Sequence, residues 1–98
     1  MPTDLWGTLD SDGNVLAAGS TKFTSVKQSS GTYLLTFSPP LTTIPALTGS
    51  LCGVNANPAN QGGLVFSQVS KDSATVITLD DEGENSDTGF AFIGMSGT

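Results

Sequence analysis

The chain has 98 residues, and three lysines, no arginine and no histidine stand against nine carboxylates, giving a formal charge of −6 at pH 7. That length makes one domain with a thin core, and the negative field excludes a polyanion such as DNA or RNA as a partner. The missing histidine removes the commonest general base and zinc ligand, so most hydrolytic mechanisms lose their central player and the expectation is of a non-enzyme.

A hydrophobic share of 37% with twelve glycines, together with abundant serine and threonine, favours short strands and turns over helices. At the N-terminus, Met1-Pro2-Thr3-Asp4 lacks the basic start and apolar run of a signal peptide. No stretch is long and apolar enough to span a bilayer. The expectation is a soluble chain made in the cytoplasm, without membrane insertion. Leu5 to Leu9 and Val15 to Ala18 are short apolar runs around Asp10-Ser11-Asp12-Gly13-Asn14, a cluster whose residues support a tight β-turn.

From Phe23 the pattern alternates without a clean apolar side, which predicts a half-buried strand. After Ser30-Gly31 it sharpens: Tyr33, Leu35 and Phe37 share one face of a strand that Pro39-Pro40 ends, because proline lacks a backbone donor. Leu41 to Ile44 wraps towards a further strand over Ala46 to Val54, where Gly49 and Gly53 predict a bulge or a close backbone approach.

The polar run Asn55 to Gly63 reads as the longest loop. Strands follow at Leu64 to Val69 and Ala74 to Leu79, with a turn at Lys71 to Ser73 between them. Asp80 to Asp87 is an acidic turn, and Gly89 to Met95 is a last strand apolar on both faces, with Phe90 and Phe92 on one and Ile93 and Met95 on the other. The predicted fold is all-β: a single antiparallel β-sandwich over residues 1–98, jelly-roll-like, with about seven or eight short strands.

Few side chains carry chemistry. Asp10, Asp12 and Asn14 alternate as ligands do in calcium loops, but no bidentate acid follows, so a plain Asx turn stands beside a calcium site as the reading. Asp80 and Asp81, in the second acidic run, make either a solvated hairpin tip or part of a cation site. Trp6, with the amides of Asn55, Asn57, Asn60 and Gln61, offers stacking and hydrogen bonds to a cell-surface glycan, against a packing role for Trp6 and simple turns for the amides. Cys52 is alone, cannot close an intramolecular disulfide, and reads as a small buried hydrophobe. Phe90, Phe92, Ile93 and Met95 exceed what one thin sandwich covers and are candidates for a subunit interface.

The succession Asp12-Gly13-Asn14-Val15, Gly19 with Phe23, Gly31 with Tyr33 and Phe37, Ile44-Pro45-Ala46, Val76 with Thr78, and Asp87 with Phe90 and Phe92 resembles small β-sandwich modules. Such modules occur in phage tail and fibre proteins and at the ends of bacterial collagen-like surface proteins. The resemblance spans about residues 5–95 and implies a homotrimer serving as a fibre end, knob or host-attachment domain. It implies other virion or fibre proteins as partners, no cofactor, and a virion or extracellular appendage as the location. Because Met1 stands only a few residues before the first strand, a capsid decoration or tail accessory protein is expected ahead of the tip of a longer fibre. The alternative is a carbohydrate-binding module, assisted by calcium.

Overall fold

The computed structural model describes residues 3–19, 22–52 and 61–97. Its elements are β1 (Thr3–Leu9), β2 (Val15–Ala18), β3 (Phe23–Ser29), β4 (Thr32–Phe37), β5 (Ala46–Leu51), β6 (Gln61–Ser67), β7 (Ser73–Asp80) and β8 (Phe90–Ser96), with no helix among the described residues. They form two four-stranded antiparallel sheets, β2-β1-β8-β5 and β3-β4-β7-β6, that face each other as a β-sandwich. The jelly-roll likeness lies in this pair of four-stranded sheets and in the return of β8 beside β1. Three local hairpins, β1–β2, β3–β4 and β6–β7, supply the rest.

The alternation predicted for Tyr33, Leu35 and Phe37 is the inner face of β4, and all three are buried. Pro39-Pro40 stops the strand at Phe37, the Ser38–Pro39 peptide being cis, and the chain crosses to the other sheet before Pro45 leads into β5. Phe23, Ser25 and Lys27 are half-buried along the inner side of β3, the mixed face the sequence predicted.

In the first sheet, side-chain size is matched across strands. The inner face reads Leu9–Phe90–Leu51, then Gly7–Phe92–Gly49, then Leu5–Gly94–Leu47. Phe92 therefore sits between two glycines and Gly94 between two leucines, which keeps the layer level and close-packed. Phe92 meets Phe23 and Phe66 of the opposite sheet edge-on at 5.2 and 6.5 Å between ring centroids, and Phe90 meets Tyr33 at 5.2 Å. At Gly49 a side chain would run into the Ala91 carbonyl, the close backbone approach predicted there.

The boundaries that differ most from the sequence reading are those of β5 and β6, the latter ending at Ser67 and not Val69. β5 ends at Leu51, short of Val54, and Gly53 and Val54 lie outside the described residues. Gln61 to Gly63, assigned to the polar loop, instead begin β6: Gln61 pairs with Asp80 and Gly63 with Leu79, and a bulge at Gly62 absorbs the extra residue. A polar, glycine-rich strand start on a sheet edge has the composition of a loop.

Candidate functional site

Period-two geometry sends alternate residues of each strand to opposite faces, so the buried rows of the first sheet fix what its outer face carries. Three outward rows cross β1, β8 and β5: Asp4–Met95–Ala46, Trp6–Ile93–Thr48 and Thr8–Ala91–Ser50. Ile93 is 59% exposed, Met95 52% and Trp6 43%, although the first two stand on a central strand. Together they border a shallow depression of about 430 Å³, open to solvent, with Asp4 at its margin. The Trp6 indole leans over Gly19, where no side chain would fit beneath it. An outward face whose central strand presents isoleucine and methionine is a candidate interaction surface among the described residues.

Phe90 and Phe92, expected with Ile93 and Met95 at an interface, are instead core residues, 0% and 4% exposed. The correction follows from the alternation itself, since a strand apolar on both faces gives one set to the sandwich and leaves the other outside. Trp6, Ile93 and Met95 are the predicted residues the fold brings together. Asn55, Asn57 and Asn60 lie outside the described residues, and Gln61 opens β6.

The acids form a different arrangement at one end of the sandwich. The turn at residues 10–14 and the segment at 80–87 hold seven of the nine carboxylates, and both border the Gly31 turn. Asp4, Asp72, Lys22 and Lys71 belong to the opposite end. Asp10 Oδ1 accepts hydrogen bonds from the Asp12 and Asn14 N–H groups, both at 2.9 Å, while Oδ2 accepts from the Asn14 amide at 3.1 Å. The backbone N–H of Asn14 holds the Asp10 carboxyl below its ordinary range, with the Asn14 amide and the Asp12 and Gly13 N–H groups adding to the effect.

Asp80 repeats the device: its Oδ1 accepts from the Glu82 and Glu84 N–H groups, both at 2.9 Å. Gly13 at φ 87° and Gly83 at φ 79° occupy the same place in the two turns, Leu-Asp-Ser-Asp-Gly-Asn and Leu-Asp-Asp-Glu-Gly-Glu. Of the carboxylates proposed as calcium ligands, Asp10 and Asp80 thus cap their turns. Among the described residues no three His, Cys, Asp or Glu side chains converge as a metal site, and Asp81 stays exposed.

Asp87 stands in the acidic turn and among the anchors of the resemblance, but the sequence does not show its partners. Its Oδ1 accepts from the Gly31 N–H at 2.7 Å and its Oδ2 pairs with the Lys27 ammonium, so one carboxylate ties the β7–β8 segment to the β3–β4 hairpin. The Tyr33 hydroxyl donates to the Ser11 carbonyl at 2.7 Å and brings the first turn into the same cluster. Lys27 and the Gly31 N–H depress the Asp87 carboxyl, Asp87 raises the Lys27 ammonium, and burial pushes the Tyr33 phenol up. These are structural ties that hold the acidic end together.

The sign of the pH effect follows from the depressed Asp87 carboxyl. Its contribution is fully present above the unfolded value, about 3.9, and is lost as pH falls through the lower folded value. Urea midpoints measured from pH 6 down to pH 2 are expected to fall less steeply below about pH 4 for Asp87→Asn than for the parent. Asparagine keeps an acceptor for Gly31 and removes the charge. Equal slopes for the two proteins would show that the pair with Lys27 adds nothing to acid stability.

Comparison of the chain with protein-family models, curated proteins and solved structures gives no match.

Proposed function

We propose that the protein is a non-enzymatic structural module that assembles with copies of itself as part of a larger particle, a virion or an extracellular fibre. The observation that carries this reading is the outer face of the first sheet, where Trp6, Ile93 and Met95 stand exposed on adjacent strands. A small sandwich has little apolar surface to spare, and covering this face in an assembly adds buried area that its thin core lacks. The likeness of the chain's turn and core residues to phage and fibre modules supports the same reading and implies decoration, tail-accessory or fibre-tip roles.

Sedimentation equilibrium from about 1 to 100 µM tests it. Self-association within that range is expected, and a monomer throughout overturns the reading. The exposed Trp6 indole beside the depression supports a second reading, a shallow glycan-binding surface. Glycan-array binding that disappears in Trp6→Ala would favour it, and silence with and without a chelator counts against it.

A further inference from the structure

We infer that the partner for the outer face of the first sheet is the same face of a second copy, related by a twofold axis that lies across the strands, so that the two sheets stack with their strands running in opposite directions. The inference rests on the assembly reading above and adds to it the surface, the partner and the orientation. Shape, charge and area each bear on it.

Along β8 the outer face is stepped. Its Met95–Ile93 half is tall, and the other half, where Ala91 is flanked by Thr8 and Ser50, is low. A twofold axis passing beneath Ile93 puts Met95 of one copy over Ala91 of the other and Asp4 opposite a Thr8 hydroxyl, while Ile93 and Trp6 meet their own symmetry mates. Tall meets low, which is what an isologous interface requires of one surface packing on itself. Stacking with the strands parallel places Met95 on Met95 and leaves a gap at Ala91.

Charge selects the same orientation. Seven carboxylates against Lys27 crowd one end of the sandwich, whereas Asp4 and Asp72 balance Lys22 and Lys71 at the other. Parallel stacking sets the two acidic ends side by side at the sheet spacing of about 10 Å. Antiparallel stacking moves them apart by roughly a strand length, about 24 Å, beyond two Debye lengths at physiological salt. Each acidic end then lies beside the partner's balanced one.

Four strands about 4.8 Å apart, β1 and β8 seven residues long, β5 six and β2 four, make a face of roughly 390 Å² in projection, and more as accessible surface. That reaches the small end of specific interfaces, at about 600 Å² per partner, and predicts a micromolar dimer.

Sedimentation equilibrium of the full chain and of Ile93→Glu and Val26→Glu tests the surface. Ile93→Glu, which brings two carboxylates together at the axis, is expected to weaken the dimer by about 100-fold or more. Val26→Glu, on the outer face of the second sheet, is expected to change it less than about threefold. Circular dichroism at low concentration checks that both variants fold. Orientation is read with a short bis-maleimide cross-linker in a Cys52→Ser background, because sheets about 10 Å apart hold facing thiols beyond disulfide reach. Met95→Cys mixed with Ala91→Cys is expected to cross-link, and Met95→Cys alone, whose two copies lie a further four residues apart along the strands, is not. Association that survives Ile93→Glu, or self-cross-linking of Met95→Cys, overturns the inference. A trimer overturns it and leaves the assembly reading standing, whereas a monomer overturns both.

Discussion

Phe90→Ala is expected to lower the stability of the fold by about 3–5 kcal/mol, the range for removing a fully buried phenylalanine. Domains of this kind are stable by roughly 5–15 kcal/mol in total, so the variant loses a large part of its margin and melts about 15–30 °C lower. The magnitude follows from the site. Phe90 is 0% exposed, lies between Leu9 and Leu51 on the inner face of the first sheet, and meets the Tyr33 ring across the sandwich at 5.2 Å. None of those neighbours can close the gap without moving a paired strand, so the cavity persists and its cost adds to the lost burial.

Ile93, three residues on, stands 59% exposed on the opposite face of the same strand, and Ile93→Ala at low protein concentration is expected to cost under about 1 kcal/mol. The contrast is the test, read as urea midpoints of the two variants. Comparable losses would mean that β8 does not present Phe90 to the core and Ile93 to solvent.

That division of β8 was only half legible in the sequence. Alternation separates Phe90 and Phe92 from Ile93 and Met95, but it does not say which pair faces inward. The answer lies in the neighbours: Gly7 and Gly49 leave room for the Phe92 ring, and Leu5 and Leu47 fill the space above Gly94. β1 precedes β8 by some eighty positions, a pairing that no local pattern encodes. Where the hydrophobic period ran on one side only, as at Tyr33, Leu35 and Phe37, the inner face was readable directly.

The acidic residues divide in the same way. The recurring Leu-Asp-x-x-Gly of residues 9–13 and 79–83 is visible in the sequence, but read as charge it suggests cation ligands, and read as turn chemistry it gives the observed capping carboxylates. Asp87 carries no local signal, because Gly31 and Lys27 lie 56 and 60 positions away. The outer face was legible in Ile93 and Met95. Trp6 joined it only through the pairing of β1 with β8.

Gly31→Ala is expected to destabilise the fold by about 2–4 kcal/mol, and Gly83→Ala by about 1–2 kcal/mol. Both glycines have positive φ, 62° and 79°, so each alanine meets the backbone penalty of the left-handed region. Only Gly31 adds a steric cost. A β-carbon there would stand 2.6 Å from the Ser86 nitrogen and 2.7 Å from the Thr78 carbonyl oxygen, whereas at Gly83 it would meet nothing within 4 Å. The obstructing atoms are backbone, held by the Ser86 N–H to Thr78 carbonyl bond at 3.0 Å and the Thr78 N–H to Gly31 carbonyl bond at 2.8 Å. They cannot swing aside as the end of a side chain would, and moving them also pulls the Gly31 N–H from Asp87. Urea titration at pH 7 of the two variants beside the parent isolates the steric part as the difference between them. Equal losses would show that the hairpin turn and the β7–β8 segment are not in contact, and the acidic end would lose its physical basis as a single unit.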